Sequence, residues 1–106
     1  MANALISAPK QAKRGETVEI RALISHPMET GYRSGPNGSI LPRNIIQHFS
    51  ARWNGQEIFR MAFSPAIAAN PFVSFTAVAR ESGTVTLRWT GDQDFAVEET
   101  VAIAVE

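Results

Sequence analysis

Hydrophobic residues in this chain recur at every second position, and no other feature restricts its fold as much. Val18, Ile20, Ala22 and Ile24 alternate with Glu19, Arg21 and Leu23. Phe49, Ala51 and Trp53 alternate with Ser50 and Arg52, and Val85, Leu87 and Trp89 share one face of a run over 84–90. A period of two puts successive side chains on opposite faces of a strand, so these runs read as half-buried β-strands. Asn54-Gly55 supplies the two positive-φ residues of a tight hairpin turn. Ser82-Gly83 and Gly91-Asp92 mark further reversals. Together with runs at 3–7, 56–63, 72–80 and 95–105, this predicts about seven strands at the turn spacing of a sandwich. The expected fold is all-β, an immunoglobulin-like antiparallel β-sandwich formed by one domain over 1–106.

A helical turn is expected at 64–70, where Ser64 can cap, Pro65 suits the first position and Asn70 precedes Pro71. Residues 31–43 form the longest irregular segment, with Gly35-Pro36-Asn37-Gly38 at its tip. Asn37-Gly38-Ser39 matches a glycosylation pattern but reads as a turn. The uncharged run at 101–105 would be a hazard as a bare edge, so it is expected to be central or covered by a subunit.

At 106 residues the chain is long enough to bury roughly two-thirds of its unfolded surface without staples. It contains no cysteine, which excludes disulfides, thiolate nucleophiles and iron–sulfur clusters. A cupredoxin-like redox domain is excluded on the same ground, since blue copper needs a thiolate. The formal charge is zero, but residues 1–60 hold eight Lys/Arg against four Asp/Glu and residues 61–106 hold two against six. No overall basic footprint for nucleic acid results, though such a dipole can orient a protein partner. No apolar run approaches the ~20 residues of a membrane helix, and the start Met1-Ala2-Asn3-Ala4-Leu5-Ile6 has no signal-peptide pattern.

The richest chemistry lies at 26–43. His26, Met28, Glu29, Tyr32 and Arg33 crowd an imidazole, a thioether, a carboxylate, a phenol and a guanidinium into eight positions, and Arg43 closes the segment. A plain connection needs only turn residues, so this segment is read as a surface that meets a partner. Met28 is expected to offer adaptable apolar contact. Arg33 and Arg43 can take oxyanions in bidentate fashion, with His26 and Tyr32 as neutral donors. The two histidines, His26 and His48, with Glu29 lack metal-pair spacing. Ser25-His26 cannot form a nucleophile–base pair by adjacency. Asp92 and Asp94 read as solvated turn residues, and Trp53 and Trp89 as core. No catalytic residue, cofactor or metal is assigned.

Three segments, Leu23-Ile24-Ser25-His26-Pro27-Met28-Glu29-Thr30-Gly31-Tyr32-Arg33, Leu41-Pro42-Arg43-Asn44-Ile45-Ile46 and Ser64-Pro65-Ala66-Ile67-Ala68-Ala69-Asn70-Pro71-Phe72, occur in the order seen in SoxZ, and the chain resembles that family. The resemblance implies a small non-catalytic subunit that binds SoxY to form the SoxYZ carrier of bacterial thiosulfate oxidation. In that family SoxY holds sulfur intermediates on a cysteine within a flexible Gly-Gly-Cys-Gly-Gly arm, and other Sox enzymes act on them through the complex. It further implies a periplasmic location reached with a signal-bearing SoxY; a large, mostly apolar partner interface is expected, and with it a homodimer when SoxY is absent. The alternative reading of the residues is a free-standing immunoglobulin-like module that binds a small anion or a protein ligand.

Overall fold

A computed structural model describes residues 4–106, so the Asn3 start of the first expected strand lies outside the described residues. The strands are β1 (Ala4–Ser7), β2 (Gln11–Ala12), β3 (Thr17–Ile24), β4 (Ile46–Trp53), β5 (Gln56–Ala62), β6 (Phe72–Val78), β7 (Gly83–Gly91) and β8 (Ala96–Val105). They form a three-stranded sheet, β1-β3-β6, and a five-stranded sheet, β2-β8-β7-β4-β5. All neighbours are antiparallel except β2 and β8.

The alternation dictates this arrangement. In β3 every second residue is buried, and Ile20 and Ile24 are fully enclosed. Val73 and Phe75 of β6 join them, against Phe49, Ala51, Val85, Leu87, Trp89 and Ile103 of the other sheet. Phe49 lies at the centre, its ring 5.0 Å from that of Trp89 and 6.0 Å from that of Phe75. Phe59 of β5 stacks on Phe75 at 4.7 Å and closes one side of the sandwich. Both tryptophans are core, as expected. The indole of Trp53 donates to Glu81 O at 3.0 Å, whereas that of Trp89 is buried with no hydrogen-bond partner among the described residues.

Asn54 and Gly55 both adopt positive φ in the β4–β5 turn. Gln93 and Asp94 do the same between β7 and β8 at φ of 57° and 58°, a primed turn made without glycine. The glycosylation-like triplet is a turn, with Gly38 N donating to Gly35 O at 3.0 Å.

The structure differs from expectation in three places. First, β2 adds an eighth strand: two residues beside the end of β8, registered as Gln11↔Ala104 and Ala12↔Val105. The run at 101–105 is therefore covered at its far end by the chain's own β2, and upstream β8 forms the sheet edge carrying the exposed Glu98 and Glu99. Edge charges of this kind discourage further pairing. Second, the one helical turn expected at 64–70 takes the form of a hydrogen-bonded turn without helical character. Ser64 Oγ accepts from Ala66 N at 3.2 Å and Ser64 O from Ile67 N at 3.0 Å, a single turn and no more. Asn70, held at φ 54° before Pro71, gives its backbone and side chain to His26 instead. Third, the irregular segment is a small hairpin. Glu29 and Asn44 exchange both backbone hydrogen bonds at 2.8 Å, and Ser34 bridges Ile40. Its limbs approach closely at Gly31, where φ is 88° and a Cβ would stand 3.0 Å from that of Arg43.

Candidate functional site

The three sequence segments singled out above meet at one end of the sandwich. His26 follows β3, Asn70 precedes β6, and residues 42–46 lead into β4. His26 N donates to Asn70 Oδ1 at 2.9 Å, and Asn70 N returns a bond to His26 O at 2.8 Å. Hairpin 29–44 projects from this junction.

The junction buries residues expected at the surface. His26 is 4% exposed, its ring edge-on to Phe95 with centroids 4.6 Å apart. Its Nδ1 accepts from Met28 N at 3.0 Å, which places the proton of the neutral ring on Nε2. Nε2 and Asn44 Oδ1 are both buried without a hydrogen bond among the described residues. Burial is the largest influence and holds the imidazole below its ordinary pKa, with the Asn44 side chain and the Asp92 charge pulling the other way. His26 is thus a neutral structural group. Met28, at φ 50°, is 5% exposed and turned inward, where its Sδ accepts from Ile46 N at 3.3 Å. The contact surface expected of it is not presented; the thioether fills the base of the hairpin.

The charged residues sort into pairs. Arg33 lies on Glu29 through Nη2–Oε1 at 2.6 Å and Nε–Oε2 at 3.3 Å. That guanidinium holds the Glu29 carboxyl below the usual carboxylate range. Arg43 forks onto Asp92, with Nε–Oδ2 and Nη2–Oδ1 both 2.8 Å. Asp92 also accepts from Ile45 N at 3.1 Å and from Gln47 Nε2, and its own amide donates to Ile45 O at 2.9 Å. Arg43 is the largest cause of the lowered Asp92 pKa; desolvation opposes it, and the Ile45 amide assists. Asp92 therefore locks the β7–β8 turn to the returning limb of the hairpin. Sequence reasoning missed this role, because a Gly-Asp turn looks the same whether its carboxylate is solvated or clamped.

Tyr32 remains outside, 82% exposed, with Ile40 60% exposed across the hairpin. Of the six residues expected to form a surface, Tyr32 and Arg33 face solvent most openly; His26 and Met28 are the hairpin's buried foundation. His48 stands on the outer face of β4, away from His26, and among the described residues no three His, Cys, Asp or Glu side chains converge. Among the described residues at this end, none pairs a nucleophile with a base.

Outside this junction, one cross-strand row on the small sheet is apolar and open. Leu5 pairs with Leu23, and Leu23 with Phe72, all on the outward face beside the hairpin. Their exposures are 69%, 38% and 60%.

The fold has known counterparts. The superoxide reductase (neelaredoxin) from Ignicoccus hospitalis superposes with a TM-score of 0.71 at 20% identity, covering 97% of this chain and 80% of that one. The CARDB domain of a Pyrococcus furiosus protein matches with a TM-score of 0.54 at 12% identity, over 100% of this chain and 94% of the other. At these identities the likeness concerns the fold alone. No curated protein matches the sequence. The sequence model of the family described as "Sulphur oxidation protein SoxZ" matches residues 6–102, from β1 to the middle of β8, and takes in all three converging segments. The chain belongs to the SoxZ family, and is a sulfur-oxidation subunit of the kind that family provides.

Proposed function

We propose that this chain binds a SoxY subunit and forms with it the carrier on which sulfur intermediates are held during thiosulfate oxidation. The family match over 6–102 carries the reading. A cysteine-free chain suits a scheme in which the bond-making thiol belongs to the partner, since a neighbouring thiol could divert sulfur by exchange. The open Leu5–Leu23–Phe72 row supports a partner surface, because an outward apolar row on a sheet gains stability when another domain covers it. An obligate pair of this kind buries more than about 2,000 Å². Tyr32 and Arg33 on the hairpin would shelter the arm or meet an incoming Sox enzyme. The site of action is the periplasm, entered together with SoxY.

The test is co-purification and labelling. The chain and SoxY should elute as one heterodimer, the chain alone as a homodimer, and thiosulfate-dependent mass should appear on SoxY only. A chain that stays monomeric and ignores SoxY, or that itself gains a stable sulfur adduct, would defeat the reading. In the first case an independent binding module becomes the better account.

A further inference from the structure

The outer face of the five-stranded sheet carries a convergence of cations that the reading above does not use. Ser50 of β4 is registered with Arg60 of β5 on one side and with Arg88 of β7 on the other. Neighbouring strands lie about 4.8 Å apart, so the two arginine backbones stand roughly 10 Å from each other across a small residue. Arg52 and His48, two positions either way along β4, stand on the same face, and Thr86 and Thr90 flank Arg88. A depression of about 250 Å³ results, lined by His48, Ser50, Arg52, Arg60, Arg88 and Thr90. It adjoins a second of about 290 Å³ that shares Ser50, Arg52 and Arg88. The floor is hydroxyl-bearing and half-buried; the walls are exposed guanidinium groups.

We propose that this depression binds a terminal sulfonate or sulfate group, with Arg60 and Arg88 closing on it from the two sides of Ser50 and Arg52 completing the charge. Two carboxylates compete from the rims. Glu57 holds Arg60 at 2.9 Å and Glu98 lies 3.6 Å from Arg88, while Arg52, registered opposite Glu57, forms no ion pair among the described residues. Exposed ion pairs of this type contribute little, so an anion that takes several guanidinium hydrogen bonds at once can displace them. A tetrahedral oxyanion fits the arrangement better than an acidic protein surface does. The three arginines line one depression around a small residue rather than spreading over the sheet. Such a site needs to bind no more tightly than the roughly millimolar range. That suffices for a group tethered nearby, whose effective concentration is itself about millimolar. The tethered source, a cysteine-bound thiosulfonate on a partner's arm, rests on the proposed function; free sulfate or thiosulfate does not.

The test is a nuclear magnetic resonance titration of the full chain at low ionic strength with sodium sulfate, sodium thiosulfate and a peptide containing S-sulfocysteine, against sodium chloride at matched ionic strength. Saturating shifts confined to the amides around Ser50, Arg52, Arg60 and Arg88 are expected with the oxyanions and not with chloride. Arg60→Gln with Arg88→Gln should weaken them about tenfold while the remaining spectrum stays in place. A preference for the peptide identifies the tethered source, and equal binding of inorganic anions the free one. Shifts that track ionic strength alone, or an unchanged affinity in the double variant, overturn the site. So does loss of SoxY binding in that variant, because the face would then be a protein interface. If SoxY never binds but the oxyanion titration saturates as described, the proposed function fails and the anion site stands.

Discussion

On the outer face of the β1-β3-β6 sheet, the row beside the hairpin reads Leu5, Leu23, Phe72; on the outer face of the other sheet, the row through the middle of β4 reads Arg60, Ser50, Arg88. Both rows follow from the same period-two pattern, and both point away from the same core. They differ in what they require. Apolar side chains exposed in a row are relieved by a covering surface. Guanidinium groups around a serine are relieved by an anion and need no cover. The sandwich thus presents one face suited to a partner and one suited to a small charged group, with a clamped hairpin at the end adjoining the apolar row.

The layer shared by both faces supplies the largest effect. Phe49→Ala should cost about 3–5 kcal/mol, a large part of a typical domain's 5–15 kcal/mol. Denaturant unfolding should show both faces lost in one transition. Two separate transitions would mean that the faces are independent units. Next in size, Phe72→Glu should leave the fold intact by circular dichroism yet weaken SoxY binding by about thirtyfold or more, as loss of a central aromatic does. Normal binding by Phe72→Glu would move the interface elsewhere and leave the apolar row unexplained.

Asp92→Asn tests whether the hairpin is independent of the two faces. The variant keeps the shape but loses the charge that Arg43 grips, so hydrogen exchange at the Ile45 amide should quicken while the Arg60–Arg88 and Leu23–Phe72 rows keep their protection. Slowed or unchanged exchange at Ile45 would show that the clamp does not hold the limb.

The smallest expected effect is with pH. His26 titrates below its unfolded value of about 6.5, so between those two pKa values the unfolded chain binds the extra proton. Stability should therefore fall as pH drops below about 6.5, and His26→Gln should flatten that part of the profile. A second loss should follow below about pH 4, where Asp92, Glu29 and Glu19, all held below the usual range, take up protons. Thermal melts from about pH 2.5 to about pH 7.5 separate the two windows. A wild-type profile that is flat above pH 5 would mean the imidazole is not held neutral by burial.

Much of the fold was legible before the structure because its signals are local. The alternation through Val18–Ile24, the Asn54-Gly55 turn and the inward tryptophans each follow from a few neighbouring residues. The candidate site was legible only as a neighbourhood. Residues 26–43 were singled out by their chemistry, and Tyr32 and Arg33 do face solvent, but His26 and Met28 turned inward. A thioether flanked by polar residues carries no mark of burial; Met28 is buried because its φ of 50° swings it under Ile46, eighteen positions away. At 64–70 a turn does form and Asn70 is left-handed before Pro71, but nothing local marks its engagement by a histidine forty-four positions earlier.

What the sequence determined by itself is the list of residues that face in and out, because side-chain alternation is a property of the extended backbone alone. Which outward residues become neighbours was decided by strand order and register. Leu5, Leu23 and Phe72 make a surface only because β3 lies between β1 and β6, and Arg60 meets Arg88 only because β4 lies between β5 and β7. Asp92 is a clamp only because the β7–β8 turn folds back against residues 43–47. Such pairings are fixed when the two sheets close on their common core, where burial of Phe49 and Trp89 selects one register over every shifted alternative.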